Sequence, residues 1–285
     1  MAMRLPALAS FALFFTTSAA AQAVHDRIYP APKEPLSLVG LPARATLDSV
    51  TTSDGLMLKG IEVPPRDGKP VLLVFHGNGA SAAGVIQWFA PLIAKGYGVL
   101  AAEYRGYSGN PGFADAAGLA ADGEAFFARA QQIAAGARVL VAGHSLGGGV
   151  AFLSADNHKL DALITIGAFT RLRDMVSKLA RAFVPDDYRN IDLVAKLDEP
   201  FFLIHGLRDD TVPPDQGNQL HIAATHAGKP GASFVLTEAD HHPDGFTIAT
   251  VIDAIDGWLT SGSFAPGFPA NVHIFPFGAK AELPH

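Results

Sequence analysis

The sequence predicts a single α/β domain in which helices cover both faces of a mostly parallel β-sheet. Six short apolar runs alternate with longer segments of helical periodicity, and such alternation requires crossover connections between parallel strands. The runs are apolar throughout, which is typical of strands that are buried on both faces. With 49% hydrophobic residues in a chain of 285, there is enough apolar material for a large core.

The predicted elements follow one another in a regular order. The turn signal Ser53-Asp54-Gly55 separates two strand candidates, Ala45–Thr51 and Leu56–Val63, and indicates an antiparallel hairpin at the amino-terminal edge of the sheet. The six parallel strand candidates are Val71–Phe75, Gly98–Ala102, Val139–Ala142, Ala162–Ile166, Phe201–Ile204 and Ser233–Leu236. The helical segments are about 84–95, 115–135, 146–157, 215–227 and 245–260.

The amino terminus has the composition of a signal peptide. Arg4 supplies the positive charge, Leu5–Phe15 forms an apolar core, and small residues end in two A-x-A sequences, Ala19–Ala21 and Ala21–Ala23. We expect residues 1–23 to be removed and the remaining chain to be exported to the periplasm or the medium. Retention as a membrane anchor is the alternative, although the apolar core is short for a bilayer span.

Three segments of the expected exported domain, residues 24–285, fall outside the alternation of strands and helices. The Pro-rich stretch Val24–Pro42 predicts an extended arm packed on the domain, neither a helix nor a central strand. Residues 171–199 are too few for an independent domain and predict a short cap over the strand ends. The tail, residues 261–285, is rich in Gly, Pro and Phe, so we expect it to lack regular structure but to pack on the body.

The composition excludes several classes of protein. The chain has no cysteine, which rules out disulfides, thiolate catalysis and cysteine-bound metals. Its formal net charge is −6 and its Lys and Arg residues are not clustered, so neither nucleic acid nor an anionic membrane is an expected partner. We expect no metal, no cofactor and no stable membrane anchor, and the sequence leaves the oligomeric state open.

One junction between a strand and a helix carries a candidate nucleophile, Ser145. The segment Arg138–Val150 passes from an apolar strand through Gly143-His-Ser-Leu-Gly147 into a helical segment, and G-x-S-x-G at such a junction is typical of a nucleophile elbow. The glycines allow strand and helix to approach closely, which leaves the hydroxyl exposed at a helix N-terminus. An ordinary Gly-rich turn is the alternative interpretation.

The sequence also contains candidates for the acid and the base of a catalytic triad. A serine hydroxyl needs a histidine base, and the histidine needs a carboxylate that fixes its tautomer. Asp209 and Asp210 follow the fifth apolar run, and His241 and His242 follow the sixth, in the chain order expected for a G-x-S-x-G site. We choose Asp209 and His241, and Asp210 and His242 remain the alternatives.

Two backbone N–H groups are candidates for an oxyanion hole. One belongs to Leu146, directly after the candidate nucleophile. The other is expected in the loop Phe75–Ser81, whose glycines permit a tight approach, and Asn78 is the candidate donor. This loop has neither the Lys-Ser/Thr of a P-loop nor the pattern G-x-G-x-x-G, so it does not predict nucleotide binding.

Several further side chains border the predicted strand ends. Three aromatic residues are candidates for contact with a substrate: Tyr104, Tyr107 and Trp88. For Trp88 the alternative is a place in the core. The charged and imidazole groups nearby are predicted to hold loops rather than to react: Arg105, Asp122, His144 and His205.

Taken in order, these motifs resemble the alpha/beta hydrolase superfamily. Within it they are most similar to short-capped serine hydrolases such as depalmitoylating thioesterases and the catalytic domains of prolyl-oligopeptidase-like enzymes. The resemblance spans about residues 45–260, and its matching residues are His76-Gly-Asn78, Tyr104-Arg-Gly-Tyr107, Gly143–Gly147, His205-Gly-x-x-Asp209-x-x-Val212-Pro213 and His241.

The resemblance implies a role for each candidate residue. It implies Ser145 as nucleophile, Asp209 as acid, His241 as base, and the N–H groups of Asn78 and Leu146 as the oxyanion hole. We therefore expect an exported serine hydrolase that cleaves a small-molecule ester or thioester through an acyl-enzyme. A peptidase or amidase with the same triad is an alternative, and a binding protein that has lost catalysis is another, because a fold alone does not fix a function.

Overall fold

The computed structural model describes residues 21–66, 68–179, 181–184, 188–278 and 283–284. Most of the predicted signal peptide, residues 1–20, therefore lies outside the described residues. Within the described part of the chain, one sheet contains nine strands. Their bounds are β1 Thr46–Thr51, β2 Met57–Val63, β3 Val71–Phe75, β4 Gly98–Ala102, β5 Val139–His144, β6 Ala162–Ile166, β7 Phe201–Gly206, β8 Gly231–Leu236 and β9 Val272–Pro276.

The strand order is β1-β2-β4-β3-β5-β6-β7-β8-β9. The predicted hairpin β1–β2 lies at one edge and pairs antiparallel with β4. The six central strands, β4-β3-β5-β6-β7-β8, are all parallel, which confirms the predicted fold class. Because parallel strands point the same way, the loops after β3, β5, β6, β7 and β8 meet at one edge of the sheet. We call this edge the carboxyl edge.

Helices cover both faces of the sheet. Their bounds are α1 Ala82–Trp88, α2 Ala90–Ala94, α3 Ala116–Ala134, α4 Leu146–Asn157, α5 Asn190–Val194, α6 Pro214–His226 and α7 Gly245–Ser261. Successive residues of β5 point to opposite faces: Val139 and Val141 pack with α3 to α6, whereas Leu140 and Ala142 pack with α1, α2 and α7. Among the described residues, every helix is too short or too polar to cross a lipid bilayer.

One predicted helix is divided in two. The periodicity predicts a single helix over 84–95, but α1 ends at Trp88 and α2 begins at Ala90. Pro91 lies in the first turn of α2, where proline is tolerated because its missing N–H has no helical partner. In a continuous helix the same residue would interrupt the hydrogen-bond ladder.

The C-terminal tail corrects a second expectation. We expected it to lack regular structure, yet Val272–Pro276 forms strand β9, which pairs antiparallel with β8 and is itself the edge strand of the sheet. An edge strand tolerates proline, and the apolar and aromatic residues before Pro276 favour an extended chain. As expected, the tail packs on the body: Phe275 and Phe277 lie against one core and Phe264 and Phe268 against the other.

The N-terminal arm, residues 21–42, corrects a third expectation. Residues 21–28 are helical, whereas Val24–Pro42 was predicted to be extended throughout. The reason is local, because the first proline of the arm is Pro30 and the chain before it is free to form a helix. From Tyr29 onward the arm is irregular.

The cap segment, residues 171–199, contains little regular structure. Its described part forms two 3₁₀ turns, Leu172–Met175 and Arg181–Phe183, followed by the short helix α5. Leu172, Val184 and Tyr188 are buried against the body. The cap therefore rests on the molecule as a short covering segment near the carboxyl edge.

Candidate active site

Ser145 lies at a sharp turn between β5 and α4. Its backbone angles are φ 52° and ψ −116°, a conformation that residues other than glycine rarely adopt. A Cβ atom at Gly143 would overlap the carbonyl oxygen of Gly147, and a Cβ atom at Gly147 would overlap that of Phe75. The G-x-S-x-G pattern is thus explained by the close contact of helix α4 with strands β5 and β3.

Two unpaired N–H groups lie beside Ser145 in one cavity. The backbone N–H groups of Asn78 and Leu146 have no hydrogen-bond acceptor among the described residues, and both residues line the cavity together with Ser145. Leu146 is the first residue of α4, where the helix dipole adds partial positive charge. An oxyanion that formed next to Ser145 would meet two donors already in place.

Asp209 and His241 form a hydrogen-bonded pair. The Nδ1 atom of His241 lies 2.8 Å from Oδ2 of Asp209, and the other carboxylate oxygen accepts the N–H groups of Thr211 and Val212 at 3.0 and 2.8 Å. Burial by itself raises the pKa of Asp209, but the hydrogen bonds from His241 and Val212 outweigh it and hold the pKa below its ordinary value. An ionised carboxylate only accepts hydrogen bonds, so Nδ1 of His241 is the donor in this contact, and Nε2 has no hydrogen-bond partner among the described residues.

The two alternatives for this pair lie elsewhere. Asp210 is exposed, and its only described side-chain contact is a hydroxyl hydrogen bond from Thr211 at 3.5 Å. His242 is also exposed, and its ring packs on Trp88 with 4.1 Å between ring centroids. The structure therefore brings Asp209 and His241 together and leaves Asp210 and His242 apart.

Gly167 lies under the Asp209–His241 pair and was not singled out from the sequence. It follows β6 directly with φ 57°, and a Cβ atom there would lie 3.0 Å from Nδ1 of His241 and 3.3 Å from Oδ2 of Asp209. The residue before it, Ile166, accepts the N–H of Ser145 at 2.9 Å. A glycine directly after a buried parallel strand was the available signal.

His144 and Trp88 hold the loop that carries His241. We call residues 239–244 the histidine loop. Nε2 of His144 donates to the carbonyl of His241 at 2.8 Å, and the indole N–H of Trp88 donates to the carbonyl of Pro243 at 2.7 Å. Burial is the main cause that lowers the pKa of His144 to about 3, so its ring stays neutral. The prediction that His144 is structural agrees with this geometry, whereas Trp88 braces a loop instead of lining the cavity.

The structure also corrects the expectation that Tyr104 and Tyr107 contact a substrate. Both side chains are completely buried and lie outside the described cavity lining. The Tyr104 hydroxyl donates to the carbonyl of His76 at 2.7 Å, and the two phenol rings lie 4.3 and 5.6 Å from the imidazole of His76. Through these contacts both side chains support the loop that contains Asn78.

A buried carboxylate completes that support. Nε2 of His76 lies 2.9 Å from Oε1 of Glu103, and the second carboxylate oxygen accepts the N–H of Ala82 at 2.9 Å. Glu103 thus joins the loop after β3 to the start of α1. The sequence analysis missed this contact, although a charged residue at the end of an apolar run was a signal.

The remaining charged and imidazole groups hold loops, as predicted. Arg105 binds Asp122 at 2.8 Å and Asp54 at 2.8 and 3.0 Å. His205 donates from Nε2 to the carbonyl of Val212 at 2.9 Å, which positions the loop that carries Asp209. Among the described residues, no group of three or more His, Asp or Glu side chains converges as a metal site.

The cavity above Ser145 has a volume of about 680 Å³, which is in the range of sites for small molecules. Its floor is the carboxyl edge of the sheet. Its walls are mostly apolar: Val24 and Ile28 belong to the N-terminal arm, and Leu172, Met175 and Val176 belong to the cap. The cavity therefore presents mostly apolar walls around Ser145.

The fold and the site define the class of the protein as a hydrolase of the α/β type. The model of the family described as "Serine aminopeptidase, S33" matches residues 66–186. An uncharacterized protein of Mycobacterium tuberculosis is 32% identical over 226 residues, which cover 74% of this chain and 78% of that protein. The alpha/beta hydrolase domain-containing protein WAV2 of Arabidopsis thaliana is 28% identical, with 74% of this chain and 72% of that protein covered.

A solved structure agrees with these matches. The esterase Pf2001 of Pyrococcus furiosus superposes with a TM-score of 0.60 at 19% identity, over 82% of this chain and 96% of that one. The chain belongs to the alpha/beta hydrolase superfamily. The resemblance found in its motifs is thereby confirmed for the family and the fold.

Proposed function

We propose that this protein is a serine hydrolase that cleaves carboxylic esters or thioesters through an acyl-enzyme. One observation carries the proposal. Ser145 lies at the floor of an apolar cavity beside the unpaired N–H groups of Asn78 and Leu146, at the same sheet edge as the Asp209–His241 pair. Such a set is what acyl transfer requires: a nucleophile, an oriented base and oxyanion donors.

The proposed reaction has two halves. His241 removes the hydroxyl proton of Ser145 as its Oγ attacks the carbonyl carbon, and Asp209 stabilises the imidazolium that forms. The N–H groups of Asn78 and Leu146 bind the oxyanion of the tetrahedral intermediate. The alcohol or thiol leaves with the proton from His241, and a water molecule activated by the same imidazole then hydrolyses the acyl-enzyme.

A peptidase or amidase is a second candidate, because the matching family model is that of a serine aminopeptidase. The same groups would then protonate an amine leaving group. A comparison of octanoyl esters with aminoacyl p-nitroanilides at equal enzyme concentration separates the two candidates. An ester preference supports the first proposal, and a clear anilide preference would replace it with the second.

The decisive experiment is labelling with a fluorophosphonate probe, which reacts with activated serines. We expect one adduct on Ser145 by mass spectrometry, together with turnover of a p-nitrophenyl ester panel from acetate to palmitate. Ser145→Ala should lose the adduct and reduce turnover by about 10⁴-fold or more. If folded wild-type protein stays unlabelled and inactive, the proposal is wrong and a binding function takes its place.

Export is part of the proposal and has its own test. The predicted signal peptide supports it, and mass spectrometry of the protein recovered outside the cytoplasm of a bacterial host would give the mature N-terminus. We expect Val24 as the first residue. A protein that stays in the cytoplasm with Met1 intact would contradict this part without touching the hydrolase proposal.

A further inference from the structure

The N-terminal arm supplies one wall of the cavity. Ala23, Val24, Arg27 and Ile28 all line it, although the floor of the site at Ser145 is more than a hundred residues away in the chain. Arg27 is the one charged side chain among the described lining residues.

The arm is fastened to the body on both sides of Arg27. Ile28 and Tyr29 are buried, and the Tyr29 hydroxyl lies 3.1 Å from that of Tyr188 in the cap. On the other side, Nε2 of His25 donates to the carbonyl of Ala114 at 2.7 Å, and its ring stacks on Phe113 with 4.1 Å between centroids. These contacts hold the backbone of Arg27 in a fixed place at the cavity.

The Arg27 side chain itself has no structural task in the described part of the molecule. It is exposed, and its guanidinium forms no hydrogen bond or ion pair with another described residue. By contrast, the guanidinium of Arg105 forms ion pairs with Asp122 and Asp54. A fixed backbone with a free guanidinium suits the binding of a ligand, because guanidinium pairs well with carboxylate and phosphate oxygens.

We propose that Arg27 is a specificity-determining residue that selects esters combining an apolar acyl chain with an anionic group, either carboxylate or phosphate, in the leaving group. The inference rests on the proposed hydrolase function. The apolar walls take the acyl chain, Ser145 attacks the ester carbon, and the anionic part of the leaving group lies at the mouth of the cavity against Arg27. The reaction is ordinary ester hydrolysis, with water as co-reactant and a carboxylic acid and an alcohol as products.

The test uses three octanoyl esters that differ only in the alcohol: glycerol, glyceric acid and glycerol 3-phosphate. Release of octanoate gives kcat/KM for the wild-type protein beginning at Val24 and for its Arg27→Gln variant. We expect the wild type to prefer at least one charged ester over the neutral one. In Arg27→Gln this kcat/KM should fall about 10-fold while the neutral ester stays within about twofold, and 0.5 M NaCl should weaken the wild-type preference.

Two variants serve as controls. Lys33→Gln removes the same charge from the same arm at an exposed position outside the described cavity lining, and it should leave all three esters unchanged. Arg27→Lys keeps the charge and should retain part of the preference. A loss confined to the glycerate or to the phosphate ester tells which anion is selected, and either result supports the proposal.

Other outcomes would overturn it. If kcat/KM falls equally for all three esters in Arg27→Gln, the residue only shapes the cavity wall. A wild type that prefers the neutral ester contradicts the proposed selection of anionic esters. So does a wild type that cleaves no charged ester although Ser145 is labelled. If the wild type neither reacts with the fluorophosphonate nor cleaves any ester, the hydrolase proposal itself fails. These results distinguish the failure of the inference from the failure of its premise.

Discussion

The floor and the roof of the cavity are built in different ways. The floor is the carboxyl edge of the sheet, where Ser145, Asp209 and His241 follow strands whose residues are almost completely buried. The roof consists of the N-terminal arm and the cap, whose described residues form one helical segment, two 3₁₀ turns and the five-residue helix α5. In the proposed reaction, the packed sheet therefore holds the reacting groups, whereas the groups proposed to select the substrate belong to surface segments with little regular structure.

The first way to test this comparison is to remove one charge from the floor. Asp209→Asn should lower kcat by about 10⁴-fold, because the amide no longer fixes the tautomer of His241.

The pKa of Asp209 lies below its ordinary value, so its ionised form stabilises the fold above about pH 4. This contribution to stability is lost as the pH falls through the folded pKa. Urea unfolding at pH 6 and pH 3 should therefore show a smaller pH effect in Asp209→Asn.

A second test adds a single methyl group to the floor. Gly147→Ala should lower the free energy of unfolding by about 3 kcal/mol or more, because the new Cβ overlaps the carbonyl of Phe75. The matched control is Gly257→Ala, an exposed helical position of α7 with nothing within 4 Å of a Cβ. It should be stabilising by about 0.5–1 kcal/mol. Equal effects of the two variants in urea unfolding would argue against a tightly packed floor.

A third test loosens the histidine loop without changing a residue of the proposed triad. In His144→Phe the carbonyl of His241 loses its donor, and we expect kcat to fall about 10-fold with KM nearly unchanged. His144→Gln keeps an N–H donor and should recover part of the rate. Because the pKa of His144 is lowered to about 3, the ratio of variant to wild-type kcat should be the same at pH 6 and pH 9. An unchanged kcat in folded His144→Phe would contradict a positioning role.

The smallest effect is expected in the roof. Tyr29→Phe removes the hydroxyl contact of 3.1 Å between the arm and Tyr188 of the cap. It should change the free energy of unfolding by about 1 kcal/mol or less, yet shift the ratio of octanoate to butyrate turnover in the p-nitrophenyl ester panel. A larger loss of stability with an unchanged ratio would mean that the roof is part of the packed body.

The sequence predicted the floor well because its signals are local. Each buried parallel strand is a short apolar run, and the boundaries of Val71–Phe75, Gly98–Ala102 and Ala162–Ile166 agree with the structure. The elbow around Ser145 was predictable for the same reason, since the glycines and the serine are neighbours in the chain. Chain order also placed the Asp and His candidates in the loops after β7 and β8.

The features that the sequence analysis missed depend on contacts between distant segments. Trp88 was considered for the substrate pocket, but its N–H reaches Pro243, 155 positions away. The hydrogen bond from Tyr104 to His76 and the contact of Glu103 with His76 are likewise invisible to periodicity. The helical part of the arm was missed because the prolines from Pro30 onward dominated the composition of the segment.

The arm also ties the amino terminus to the proposed active site. Ala23 and Val24 both line the cavity, and the predicted cleavage site lies between them. Cleavage there would place a new ammonium group at the rim, four residues from the nearest buried anchor, Ile28. In the proposed exported protein, removal of residues 1–23 would therefore change one wall of the cavity, and an affinity tag fused to Val24 would crowd the entrance while leaving Ser145, Asp209 and His241 unchanged.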